Sequence, residues 1–203
     1  MNKVYKVFPG GKFKVLTFSY DDGKIEDRRL VKLFNKFNLK ATFNLNTGII
    51  DPAIRIPQEE WPELYKGHDI AVHTFTHPTM IRLNNYNALR EILDDKDNLE
   101  KIFKRPIYGL AYPNGSYDNR IVDIAKSVGI KYARVTNDKY AATKAAEAYA
   151  ANADGPILIG DENGFSMPED YMRWVPTCHH NHNLIDFGKK FMALTKKQYL
   201  YMM

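Results

Sequence analysis

Three features of the sequence point to an α/β fold in which βα units surround a parallel sheet or barrel. Short apolar runs rich in β-formers alternate with segments of helical periodicity along most of the chain. At 203 residues the chain is long enough for one sizeable core, and no linker or internal repeat divides it, so a single domain over 1–203 is expected. The first and third strand candidates run into clustered Asp and His residues, and a barrel gathers its active site at the C-terminal ends of its strands.

The first strand candidate is KVLTFSY, 14–20. A helix candidate, EDRRLVKLFNKF, follows from Glu26: Leu30, Leu33, Phe34 and Phe37 fall at helical spacing, and acids occupy the first turn, where the helix dipole favours them. ATFNLN (41–46) and DIAVHT (69–74) are the next strands. NALREILDDKDNLEKIF reads as a helix ending at Phe103, IYGLAYP (107–113) as a strand, and DNRIVDIAKSVG as a helix stopped by Gly129 in a C-cap position. After YARVT (132–136), the alanines of AATKAAEAYAANADG (141–155) give high helix propensity until Asp154, Gly155 and Pro156 break it. RWVPTC (173–178) and QYLYMM (198–203) bring the strand candidates to seven.

Composition narrows the function classes. The residues are 44% hydrophobic and 26% charged, an ordinary globular balance. A formal charge of +5 is spread along the chain, which suits a solvated surface and gives no nucleic-acid footprint. No apolar run has signal-peptide or membrane-span length, so a cytoplasmic protein without a membrane partner is expected. Cys178, the single cysteine, excludes an internal disulfide and a cysteine zinc cage; it reads as a small buried hydrophobe. Oligomeric state leaves no mark on the residues.

Two motifs carry chemistry. SYDDG (19–23) ends the first strand in adjacent carboxylates, Asp21 and Asp22, although like charges repel and Asp is a poor strand former. Asp-Asp-Gly is also a common turn sequence, so on its own the stretch leaves a plain loop open. HTFTHP follows the third strand and sets His73 and His77 four apart, a spacing that on a helical turn puts both imidazoles on one side. Each histidine alone fits a structural role. Two histidines and a carboxylate at the proper strand ends, however, make a common catalytic zinc set with one position open to water.

These segments, with LAYPNG as a later proline loop, resemble the first three motifs of the polysaccharide deacetylases, carbohydrate esterase family 4, whose unit is the NodB-homology domain. The resemblance runs from Phe18 to at least Trp174. It implies a distorted (β/α)7 barrel, in agreement with the seven strand candidates. It also implies Asp22, His73 and His77 as metal ligands, Asp21 as catalytic base, and a backbone N–H at Asn114, just after Pro113 in the Tyr112–Asn114 loop, as donor to the oxyanion and substrate. One divalent ion is implied; zinc suits the donors, and cobalt, nickel or iron would also be accepted.

The chain departs from the family pattern in places. The arginine that pairs with the base usually stands two residues before the proline, where this chain has Ala111. Arg134, at the end of YARVT, is expected to reach across in its stead, the alternative being a surface arginine. Trp174 either lines an acetyl pocket or packs in the core. His179, His180 and His182 follow the sixth strand candidate, and His179 or His180 is a candidate general acid; a second metal site there lacks a nearby carboxylate. QYLYMM would be the seventh strand, yet the family's strand-end histidine and closing helix have no counterpart after it, so a C-terminally truncated domain is expected.

The expected function is metal-dependent removal of N-acetyl groups from an amino sugar or its polymers. Two alternatives stand beside it. One is a metal-binding, carbohydrate-binding pseudoenzyme with little turnover; the other is a relative that opens another carbon–nitrogen bond, such as a cyclic imide or ureide.

Overall fold

A computed structural model describes residue 12 and residues 14–136, 170–176, 183–193 and 198–202. The elements are β1 (Lys14–Asp21), α1 (Asp27–Lys36), β2 (Thr42–Leu45), α2 (Trp61–Leu64), β3 (Asp69–Val72), α3 (Asn85–Phe103), β4 (Gly109–Ala111), α4 (Asn119–Ser127), β5 (Tyr132–Arg134), α5 (Leu184–Ala193) and β6 (Gln198–Met202). All six strands run parallel in one sheet ordered β5-β4-β3-β2-β1-β6. This is part of the distorted (β/α) barrel that the sequence leads one to expect.

Alternation along each strand divides the sheet into two chemically different faces. Phe18, Tyr20, Phe43, Leu45, Ile70, Val72 and Leu110 face the helices, where Phe18 and Tyr20 meet Phe34 of α1 and Phe43 meets Tyr65. Each large apolar side chain fully buried there contributes about 1.5–3 kcal/mol. The other face carries Ser19, Asp21, Asn44, Asp69, Ala71, Gly109, Ala111, Tyr132 and Arg134, small or polar residues that bond to one another across the strands. The barrel side is therefore where chemistry is possible.

Caps fix where two of the helices start. Asn84 accepts from the Asn87 N–H at 2.8 Å to open α3, and Asp118 accepts from Ile121 at 2.8 Å to open α4; such caps contribute about 1 kcal/mol each. Gly129, at φ +85°, follows the end of α4 as the sequence predicts. Gly109 has a packing role instead: a Cβ there would lie 2.5 Å from the Tyr132 ring, which crosses β4 to donate from its hydroxyl to Asp69 Oδ2 at 2.5 Å.

One local expectation needs correction. Where a strand is expected at 173–178, the described residues 170–176 hold a short 3₁₀ turn, Tyr171–Arg173, and then a parallel bridge from Trp174 to Arg134. Asp170 accepts from the Met172 N–H at 2.8 Å and so favours the turn, and Pro176 has no N–H to extend a ladder. Residues 184–193, for which the sequence carries no expectation, form α5. The Ala-rich 141–155 stretch, Cys178, His179, His180 and His182 lie outside the described residues.

Candidate metal centre

The site forms where β1, β2, β3, β4 and β5 end on the barrel side. Asp22 follows β1 at φ +78°, and its N–H donates to Asn44 O at 2.9 Å. His73 follows β3, with Thr74 at φ +65° and His77 at φ +58° in the turn beyond it. A β-branched residue in the left-handed region is an outlier, and the Thr74 hydroxyl is buried without a hydrogen-bond partner. Strain of this kind persists where surrounding structure over-determines the backbone, as it does around a functional site.

One ligand atom each from Asp22, His73 and His77 falls within 4.8 Å of the others, and among the described residues this is the one such cluster of acids, histidines and cysteine. The His73 and His77 rings meet edge-on with centroids 4.7 Å apart. His73 Nδ1 lies 2.8 Å from the Ala111 carbonyl oxygen, which can only accept, so Nδ1 carries the proton and the Nε2 lone pair is left toward the aspartates. His73 Nε2 is 3.7 Å from Asp21 Oδ2 and 4.0 Å from Asp22 Oδ1. Burial, with help from His77 and Arg134, outweighs the attraction of Asp21 and lowers the His73 pKa, which keeps the imidazole neutral, the form that binds metal. The donor set, the tautomer and the second hydrogen bond of His73 all fit a divalent cation.

Asp21 is held differently. Arg134, 3% exposed, sets Nη2 2.5 and 2.6 Å from the two carboxylate oxygens, and Asn44 Nδ2 adds a bond to Oδ1 at 2.8 Å. Burial alone would push this carboxyl up; Arg134, His73 and Asn44 together outweigh it and hold Asp21 well below the usual carboxylate range. Its side chain stays 29% exposed and lines an open groove with Tyr20, Lys24, Ile25 and Arg28. One aspartate is thus turned to the histidines and the other is clamped by a cation at the edge of a groove.

The remaining sequence candidates are placed unevenly. Pro113 is buried, while Asn114, at φ +56°, is exposed beyond β4. Tyr112 is fully buried and donates its hydroxyl to Met172 O at 3.1 Å, so its side chain belongs to the core. Trp174 bridges Arg134 in parallel register, half-buried against Tyr132 and Tyr171.

Asn44, Asn46 and Asp95 support the site from outside its motifs. Asn44 bonds Ser19, Tyr20 O and Asp21, while Asn46 bonds His73 O at 2.5 Å and Thr74 O at 2.9 Å, so the ATFNLN strand braces both ligand-bearing neighbours. Two asparagines at i and i+2 of an apolar strand are a readable signal, since Asn is depleted in strands. Asp95 lies in register with Ala88, Ile92 and Leu99 on the buried stripe of α3. Its carboxylate accepts from Thr47 N at 2.6 Å, Thr47 Oγ1 at 2.8 Å and His73 N at 3.0 Å. A carboxylate on an apolar helix stripe is likewise a signal.

The polysaccharide deacetylase family model matches residues 9–133. Among solved structures, the Streptococcus pyogenes deacetylase PplD in complex with acetate is similar at 27% identity and a TM-score of 0.60, over 64% of this chain and 58% of that one. A polysaccharide deacetylase from Bacillus cereus is similar at 19% identity and a TM-score of 0.62, over 85% of this chain and 50% of that one. A family 4 carbohydrate esterase from Streptomyces lividans in complex with acetate follows at 16% identity and 0.50, over 69% and 74%. The latter two are likenesses of fold. The chain spans 58% and 50% of the length of the first two structures. No curated protein matches it as a sequence relative.

Proposed function

Since the chain belongs to the polysaccharide deacetylase family, we propose that it hydrolyses N-acetyl groups on an amino-sugar carbohydrate with a divalent metal held by Asp22, His73 and His77. The observation that carries the reading is the pairing of that ligand cluster with Asp21, a carboxylate clamped by Arg134 and directed at His73 Nε2 from 3.7 Å. Zinc is the first choice of ion; cobalt, nickel and iron suit the same donors.

When bound there, a divalent cation would supply Lewis acidity toward water and the acetamide carbonyl. Everything else falls to the chain's own residues. Asp21 takes the proton from attacking water: its Oδ1 accepts from Arg134 and Asn44, and its Oδ2, which also accepts from Arg134, lies 3.7 Å from His73 Nε2. Arg134 keeps that base ionised. The Asn114 backbone N–H donates to the oxyanion that forms as water adds to the carbonyl carbon, and loss of such a donor typically costs about 10²–10³ in rate. Trp174, beside Arg134, offers an apolar wall to the acetyl methyl. The carbon–nitrogen bond then breaks to give acetate and a free amine, which needs a proton; His179 or His180 is the proposed donor. Among the described residues no helix is long and apolar enough to cross a membrane.

The test is acetate release from N-acetylated chitooligosaccharides, followed by NMR, with and without a chelator. Release that the chelator abolishes is the expected result. Release that persists unchanged in chelator would refute the metal-dependent reading, and no release at all under metal-replete conditions would favour a binding role.

A further inference from the structure

We propose that Arg55 is a positioning residue for the metal centre: its guanidinium fixes the Asp22 carboxylate and, through Asn46, locks the Asp22 turn to the His73–Thr74 turn. This rests on the metal-ligand role of Asp22, His73 and His77 given above. Arg55 lies on the loop after β2 and belongs to none of the motifs that mark the site.

Arg55 makes three contacts from one fork. Nη1 donates to Asp22 O at 2.5 Å and to Asn46 Oδ1 at 3.1 Å, and Nη2 donates to Asp22 Oδ1 at 3.3 Å. The backbone contact matters because Asp22 sits at φ +78°, and a carbonyl turned out of the ladder needs a donor. The carboxylate contact sets Oδ1 within 4.0 Å of His73 Nε2. Asn46 carries the link onward: its carbonyl end takes Arg55 while its amide end donates to His73 O and Thr74 O. The two loops that supply ligands are therefore joined by one continuous chain of hydrogen bonds, Asp22 to Arg55 to Asn46 to His73.

The fork is itself held in place. Ile25 N donates to Ile54 O at 3.1 Å and Ile56 N to Gly23 O at 2.9 Å, lacing 54–56 antiparallel against 23–25 with a bridge between Lys24 and Arg55. The Arg55 side chain is 13% exposed. Lys24 contrasts with it: Nζ stands 3.5 Å from Asp22 Oδ2 at the end of a side chain that is 55% exposed, so it tethers the carboxylate loosely. Lysine at position 55 would supply the charge but not a planar fork that spans three acceptors.

The experiment compares the wild-type chain with Arg55→Ala, Arg55→Lys and, as a control, Arg28→Ala, whose fork on Glu60 lies at the exposed surface. Zinc affinity of the chelator-stripped proteins is measured by competition with a fluorescent indicator, the visible spectrum of the cobalt forms is recorded, and metal-free melting is followed by circular dichroism. Arg55→Ala should bind zinc about 10- to 100-fold more weakly and Arg55→Lys about tenfold more weakly, with an altered cobalt band and near-wild-type melting in the lysine variant. Wild-type zinc affinity and cobalt spectrum in Arg55→Lys, or in a folded Arg55→Ala, overturn the proposal; so does an equal loss in Arg28→Ala, which would mark general destabilisation. If Arg55→Ala does not fold, the lysine variant decides. A wild-type chain that takes no zinc overturns the metal reading itself, and this proposal with it.

Discussion

Arg134, at the end of β5, reaches across to Asp21 at the end of β1 and places its Nη2 2.5 and 2.6 Å from the two carboxylate oxygens. The pair spans 113 residues of sequence and supplies the cation at a site where the proline loop has Ala111. Without Arg134, only His73 and Asn44 would oppose the burial of Asp21, and its pKa would rise. Arg134→Ala should therefore move the acid limb of the pH–rate profile to higher pH and lower neutral turnover at least about tenfold, with metal content unchanged. An unmoved acid limb would show that Arg134 does not set the ionisation of Asp21.

The two aspartates should separate cleanly. Asp21→Asn should retain about one divalent ion and lose activity by about 10² or more, whereas Asp22→Asn, His73→Ala and His77→Ala should lose the ion. Elemental analysis decides. Metal lost from Asp21→Asn but kept in Asp22→Asn would exchange the two roles.

Packing under the site gives a stability test. In Gly109→Ala the new methyl would lie 2.5 Å from the Tyr132 ring and displace its bond to Asp69, a clash expected to cost about 1–3 kcal/mol. In a Tyr132→Ala background the same substitution should cost far less, because the clashing ring is gone. Equal costs in both backgrounds, measured by denaturant unfolding, would place the strain elsewhere.

Asp27 predicts a pH dependence. Burial pushes its carboxyl up to about 7, partly offset by the hydrogen bond from the Tyr65 hydroxyl at 2.8 Å. The folded chain then holds a proton that the unfolded chain releases near pH 4. Its contribution is full below that pH and is lost as pH rises toward 7, up to about 4 kcal/mol. Asp27→Asn keeps an acceptor for Tyr65 without the titration. Its stability relative to wild type, both in chelator, should rise between pH 4 and 7 and then level off; a flat difference across that range would count against a raised Asp27.

Much of this was legible in the residues. Runs such as KVLTFSY and DIAVHT are strands because apolar and β-branched residues fill one sheet face, and Asp22, His73 and His77 stand together because strand ends converge. The supporting residues were harder to see. Asn44 and Asn46 act across strand register, and Arg55 depends on how the loop laces against residues 23–25, neither of which spacing along the chain encodes. Asp95 resembles one more acid on a charged helix until its place on the buried stripe is known. RWVPTC has strand composition, yet over its described residues 173–176 the Asp170-capped turn and Pro176 leave one bridge, at Trp174. Residues 184–193 were obscured by Gly188, a poor helix former in the middle of α5.

The proposed chemistry needs both a single divalent ion on Asp22, His73 and His77 and Asp21 as the base for hydrolysis of N-acetyl groups. The most direct test is acetate release from an N-acetylated chitooligosaccharide by chelator-stripped protein as zinc is titrated back, run in parallel on wild type and Asp21→Asn. Expected are no release without metal, recovery in the wild type that saturates near one equivalent, and negligible release by Asp21→Asn although it takes up the same zinc. Release by the stripped protein, or equal rates for the two zinc-loaded proteins, would contradict this chemistry.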